Sequence, residues 1–103
     1  MGKLVRDRVP ELVAATTGPT PAVRRLSETE FEEALLSKLL EEVTELLQAP
    51  HEERLEEAAD VLEVLTALVG LQGLGCEDIV AEADQKREAR GGFDDRLWWD
   101  PRP

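Results

Sequence analysis

The stretch from Ser27 to Leu71 constrains the fold more than any other part of the chain. Two helix-length runs lie on either side of a connection of only a few residues around Pro50. Ser27 followed by Glu30 matches a capping box, so the first run predicts a helix from Glu28 to about Gln48, stopped by Pro50. The second run predicts a helix from Glu52 to about Leu71. Helices joined by so short a turn fold back on each other, and two such hairpins make a four-helix bundle. The run "AADVLEVLTALVGL" is apolar on nearly every side, and a chain of 103 residues has little with which to cover it all round. Its outer face, Leu55, Leu62, Leu65 and Val69, is therefore expected to meet a second subunit. The expected fold class is all-α, a helical hairpin completed to a four-helix bundle by oligomerisation.

Acids interrupt the apolar stripes of both helices. At about 3.6 residues per turn, Phe31, Leu35, Leu39 and Leu46 share one side of the first helix, and Glu42 projects from the centre of that side. Asp60 shares its stripe with Val64, Ala67 and Leu71. An unpaired buried carboxylate costs several kcal/mol or takes up a proton, so something must compensate it. Glu42 and Glu45 are three residues apart, as are Glu57 and Asp60, so each pair shares a helix face. The short turn sets Glu41, Glu42 and Glu45 near Glu56, Glu57 and Asp60. Carboxylates packed this way repel one another strongly, and a hard divalent cation removes the conflict. An all-carboxylate site suits magnesium, manganese or calcium. A di-iron centre expects Glu-x-x-His pairs, whereas the one histidine, His51, lies in the turn. The competing reading is that helical glutamates form a solvated face. Glu32, Glu33, Glu52, Glu53, Glu77 and Glu82 are read in that way, and a non-catalytic helical dimerisation or interaction module, made soluble by its acids, remains the alternative.

The net charge of -11 argues against a sequence-independent grip on nucleic acid, which needs a basic surface. No apolar run reaches the roughly 18 to 20 residues of a membrane span, and "MGKLVRDRVPEL" lacks the apolar core of a signal peptide. A lone cysteine, Cys76, excludes an internal disulfide and fits a reducing compartment. A soluble cytoplasmic protein without membrane or nucleic-acid partners is the expectation. Residues 1–103 read as a single domain: an N-terminal motif and loop over 1–26, a helical core over 27–92 and a tail over 93–103. Within the first part a short helix is expected around Pro10 to Ala15, followed by a Gly- and Pro-rich loop. Gly70, Gly73 and Gly75 end the second long helix, and "EDIVAEADQKREAR" predicts a third, closed by Gly91 and Gly92. The tail is expected to dock Trp98 and Trp99 into the bundle, with stacking on a base as the other possibility. Cys76 is read as a helix-start or packing residue.

"EEVTE" (41–45) and "EAAD" (57–60) together resemble the acidic signature of the MazG-like all-alpha nucleoside triphosphate pyrophosphohydrolases. "KLVRDRVPEL" and "QKREARGGF" are similar to motifs of its small phosphoribosyl-ATP pyrophosphohydrolase-like branch, so the resemblance extends from Lys3 to Phe93. The eleven residues between Glu45 and Glu57 are at the short end for the superfamily and imply a tight hairpin. The resemblance implies magnesium-dependent cleavage of a nucleotide between its α and β phosphates, with manganese able to substitute, in a homodimer or homotetramer. Carried over by residue, Glu42, Glu45, Glu57 and Asp60 match the metal ligands. Glu41 matches the first acid of the signature, which binds a further metal or helps deprotonate the attacking water. Lys38, one turn before Glu42, is expected to reach either that acid or a phosphate. Lys86, Arg87 and Arg90 are expected to contact phosphate, although cations at a helix C-terminus also stabilise its dipole. Lys3, Arg6 and Asp7 are assigned to the same substrate pocket, the plainer reading being an Arg–Asp pair that pins the N-terminus. Phosphoribosyl-ATP, the histidine-biosynthesis substrate, is the alternative to a free nucleoside triphosphate.

Overall fold

The computed structural model describes residues 2–101. Four α-helices follow one another: α1 (Val9–Thr17), α2 (Glu28–Gln48), α3 (Arg54–Gly70) and α4 (Cys76–Arg90). A single 3-10 turn, His51–Glu53, precedes α3. No strand occurs among the described residues, and none of the helices is long and apolar enough to cross a membrane.

Local chemistry sets the helix ends. Pro10 stands in the first turn of α1, and Gly18, with φ 91°, closes it two residues beyond the expected stop at Ala15. At the start of α2 the Glu30 N–H donates to Ser27 Oγ at 3.2 Å, and the Ser27 N–H donates to Glu30 Oε1 at 3.0 Å. Arg24 adds two contacts to the Glu30 carboxylate at 3.4 and 3.3 Å. The second long helix begins as a 3-10 turn over His51–Glu53, because Pro50 forces the chain to reverse tightly before α-helical geometry can resume at Arg54. Gly73, at φ 79°, and Gly91, at φ 82°, supply the left-handed positions after α3 and α4.

The cap carries a pH signature. The Ser27 backbone N–H, followed by Arg24 and the Ser27 hydroxyl, holds the Glu30 carboxyl down to about 2 from 4.5. A group depressed in the folded state contributes stability that is complete above its unfolded value and is lost as pH falls through the folded one. The Glu30 contribution therefore disappears between pH 4.5 and about 2. Acid titration followed by circular dichroism should show Glu30→Gln losing less stability than the parent in that window, and equal losses would refute the assignment. Ser27→Ala should cost about 1 kcal/mol at neutral pH.

α2 and α3 form the hairpin, and α4 packs on α3 alone. α1 approaches none of the other helices among the described residues. Very little of this arrangement is sealed: among the described residues only Leu35 (3% exposed) and Val64 (7%) are buried apolar residues. The radius of gyration is 17.9 Å, against about 13 Å for a compact domain of this length. The uncovered apolar surface differs from the expected face. Leu55 and Leu62 are exposed on α3, but Leu65 and Val69 are half-buried, while Leu36, Leu40 and Leu47 extend the exposed stripe along α2. Trp98 (85% exposed) and Trp99 (93%) lie in solvent rather than in the bundle. The tail leaves the end of α4, itself packed only on α3, in a chain stretched to 61 Å along its longest axis.

Candidate metal centre

The hairpin turn brings the C-terminal half of α2 beside the N-terminal half of α3, and three acids meet there. One carboxylate oxygen from each of Glu42, Glu57 and Asp60 lies within 4.8 Å of the other two. Glu57 and Asp60 reach the same point because three residues of α-helix return a side chain to nearly the same face. Glu42 is only 6% exposed. Its Oε1 faces Lys38 Nζ at 3.2 Å, whereas its Oε2 is buried with no hydrogen-bond partner, as is Glu57 Oε2. Buried polar atoms are nearly always satisfied, so the unpartnered oxygens on two of the three grouped acids make this cluster the candidate cation site.

The electrostatics agree. Burial, reinforced by the charges of Asp60, Glu42, Glu56 and Glu53, pushes the Glu57 carboxyl above its ordinary value. A hydrogen bond shared with Glu42, the charge of Glu42, burial and the fields of Glu57 and Glu41 push Glu45 in the same direction. Burial opposes the charge on Lys38, but the hydrogen bond to Glu42 and the charges of Glu41, Glu42 and Glu45 outweigh it and hold the ammonium above its usual value. The donor set is all oxygen and strongly anionic, which fits a hard divalent cation.

Glu45 lies outside the group of three. It is exposed, and the neighbouring Glu42 is the main influence on its carboxyl. Glu41 is also exposed, with Lys38 Nζ 3.7 Å from its carboxylate. Arg6 comes to the centre from the other end of the chain: its guanidinium meets Asp60 Oδ1 at 2.7 Å and Glu63 at 4.0 Å. Lys3 and Asp7 are exposed and form no ion pair among the described residues. Lys86, Arg87 and Arg90 are exposed on α4, which does not touch α2, and Arg87 is occupied by Asp84 at 2.9 Å. Within one chain these three are not gathered at the acids. Sequence reasoning missed Glu63, whose spacing of three from Asp60 was the available signal.

A curated protein of Mycolicibacterium smegmatis, described only as an uncharacterized protein, is 55% identical over 49 residues. The match covers 48% of this chain and 49% of the relative, so the chain spans about half the length of the curated relative it matches. No solved structure matches the chain. Residues 8–87 match the family model described as phosphoribosyl-ATP pyrophosphohydrolase. With four helices and no strand in its described residues, the chain belongs to the phosphoribosyl-ATP pyrophosphohydrolase family, within the MazG-like all-alpha superfamily.

Proposed function

We propose that this protein is a magnesium-dependent nucleotide pyrophosphohydrolase that cleaves a nucleoside triphosphate between its α and β phosphates, releasing the monophosphate and pyrophosphate, as a house-cleaning enzyme. The observation that carries this reading is the buried carboxylate of Glu42, one oxygen of which has no hydrogen-bond partner, grouped with Glu57 and Asp60 so that one oxygen of each lies within 4.8 Å of the others. Magnesium, or manganese in its place, neutralises the phosphates and lowers the pKa of water at such a centre.

In this reading Glu42, Glu57 and Asp60 hold the cation, and Glu45 completes the set from the rim. Glu41, exposed beside Lys38, takes a proton from the attacking water at its carboxylate. Lys38 keeps Glu42 oriented and donates to a phosphate oxygen. Arg6, Lys3 and Asp7 approach the substrate from the N-terminal segment. Lys86, Arg87 and Arg90 supply phosphate contacts from a second copy in a homodimer or homotetramer, a reading supported by the exposed leucines of α2 and α3. Phosphoryl chemistry asks mainly for positioning and charge stabilisation, which such an arrangement provides.

The family model that matches residues 8–87 favours a second substrate, phosphoribosyl-ATP. The test is pyrophosphate release from a panel of canonical and damaged nucleoside triphosphates and phosphoribosyl-ATP, with magnesium. Turnover of free triphosphates supports the first reading, preferential turnover of phosphoribosyl-ATP the second. No turnover of either would leave the helical interaction module as the better description.

A further inference from the structure

Two cations touch the acidic centre, and they are held in opposite ways. Lys38 belongs to the long helix α2, its side chain is 26% exposed, and its ammonium is bracketed by Glu41 and Glu42. Arg6 belongs to a segment without secondary structure before α1, and its side chain is 59% exposed. Its single close contact is Asp60 Oδ1, an oxygen of a residue in the converging acid group, with Glu63 at the 4.0 Å margin. Resting in an irregular segment, the Arg6 side chain can shift by rotation about its own bonds without breaking any helical hydrogen bond.

Resting on the pyrophosphohydrolase reading above, we propose that Arg6 is an exchangeable counter-ion, which neutralises Asp60 in the metal-free protein and yields it when a divalent cation binds, then turns its guanidinium to the substrate phosphates. The physical argument is competition for one carboxylate. Asp60 cannot give the same lone pair to a guanidinium and to a cation, and a positive charge in contact with Asp60 opposes the approach of a dication. An exposed ion pair is weak enough to be displaced at modest cost. Once released, the guanidinium stays within reach of the acid group, and its planar fork of five donors matches phosphate oxygens two at a time. Lys38, less exposed and bracketed by two carboxylates, remains with Glu42, so the centre keeps one cation and hands over the other.

The test separates competition from simple orientation of Asp60. Manganese binding without nucleotide is measured by titration calorimetry for the parent, Arg6→Ala and Arg6→Lys, with circular dichroism to verify folding. Competition predicts that Arg6→Ala binds manganese roughly threefold to tenfold more tightly than the parent. It also predicts that Arg6→Ala binds a non-hydrolysable nucleoside triphosphate roughly tenfold more weakly in saturating magnesium. Arg6→Lys, which keeps the charge without the fork, should bind manganese like the parent and the analogue with intermediate affinity. Unchanged or weaker manganese binding in Arg6→Ala would overturn the proposal while leaving the proposed function standing. A parent that binds no manganese at all would overturn both.

Discussion

Replacing Glu42 with glutamine should lower pyrophosphate release by at least about 100-fold while making the metal-free protein more stable, not less. The loss follows from removing the only acid of the centre that is fully enclosed, at 6% exposure. Losing one preorganised electrostatic partner of a transition state typically costs about 100- to 1000-fold in rate, and even partners outside the direct ligand set cost about 10- to 100-fold. The gain follows from the same burial. Glutamine keeps the shape and an oxygen for Lys38, replaces the orphaned Oε2 with a donor able to satisfy Glu45 or Glu57, and removes a like charge from the group. Lys38 keeps Glu41 as a partner at 3.7 Å, so relief of the like-charge repulsion that Glu42 exerts on Glu45 and Glu57 should prevail. Removing that buried charge is worth about 1 kcal/mol, and in a domain of this size it raises the melting temperature by about 4 to 8 °C. Asp60→Asn makes an informative contrast, because Asp60 is partly exposed and already paired with Arg6 at 2.7 Å. It should lose activity to a similar degree without gaining stability. Activity of Glu42→Gln within tenfold of the parent would show that this acid holds no essential ion.

Magnesium should stabilise the folded protein far more than its ionic strength alone explains. A ligand that binds only the folded state at 100 times its dissociation constant contributes about 2.7 kcal/mol, which in a chain this short corresponds to roughly 10 to 20 °C in melting temperature. The effect has a defined pH dependence. Glu57 and Glu45 titrate above their ordinary values in the metal-free folded state. Carboxyls raised by folding stabilise the metal-free protein below their unfolded values and lose that contribution as pH rises through the folded ones. In the proposed function the cation binds when both are ionised, so the magnesium-linked gain should be largest well above the raised values and shrink as acidification returns protons to the site. Scanning calorimetry with magnesium, with chelator and with sodium chloride of matched ionic strength checks both points. A magnesium curve that overlays the sodium chloride curve would remove the metal centre from the account.

Much of the fold was legible because its determinants are local. The Ser27–Glu30 cap, the Pro50 stop, the Gly91 end of α4 and the loop after α1 each depend on residues within one helical turn of the boundary, and the structure has them where the spacing predicts. Two boundaries differed: α1 runs two residues past Ala15 to Thr17, and the 3-10 start at His51–Glu53 reflects the tight reversal after Pro50, which helix periodicity does not encode.

The centre was legible only in part. The apolar stripe of α2 singled out Glu42, and the structure buries it, whereas Glu45, which the resemblance matched with it as a ligand, is exposed. How far Glu45 stands from the other acids depends on the rotation of α2 against α3, a property of the packed pair. The contact of Arg6 with Asp60 spans 54 positions, so no local pattern could contain it. The tryptophans show the converse: their chemistry favours burial, but their position beyond α4 leaves no surface of the same chain to bury them.

By itself the sequence determined the number and limits of the helices, the turn that pairs them and the acids available to a cation, because hydrogen bonds and backbone preferences act over a few residues. Only the tertiary structure decided which acids converge, which oxygens are left without partners and which cation reaches them. Those outcomes depend on how two helix surfaces meet and on a contact closed across more than half the chain.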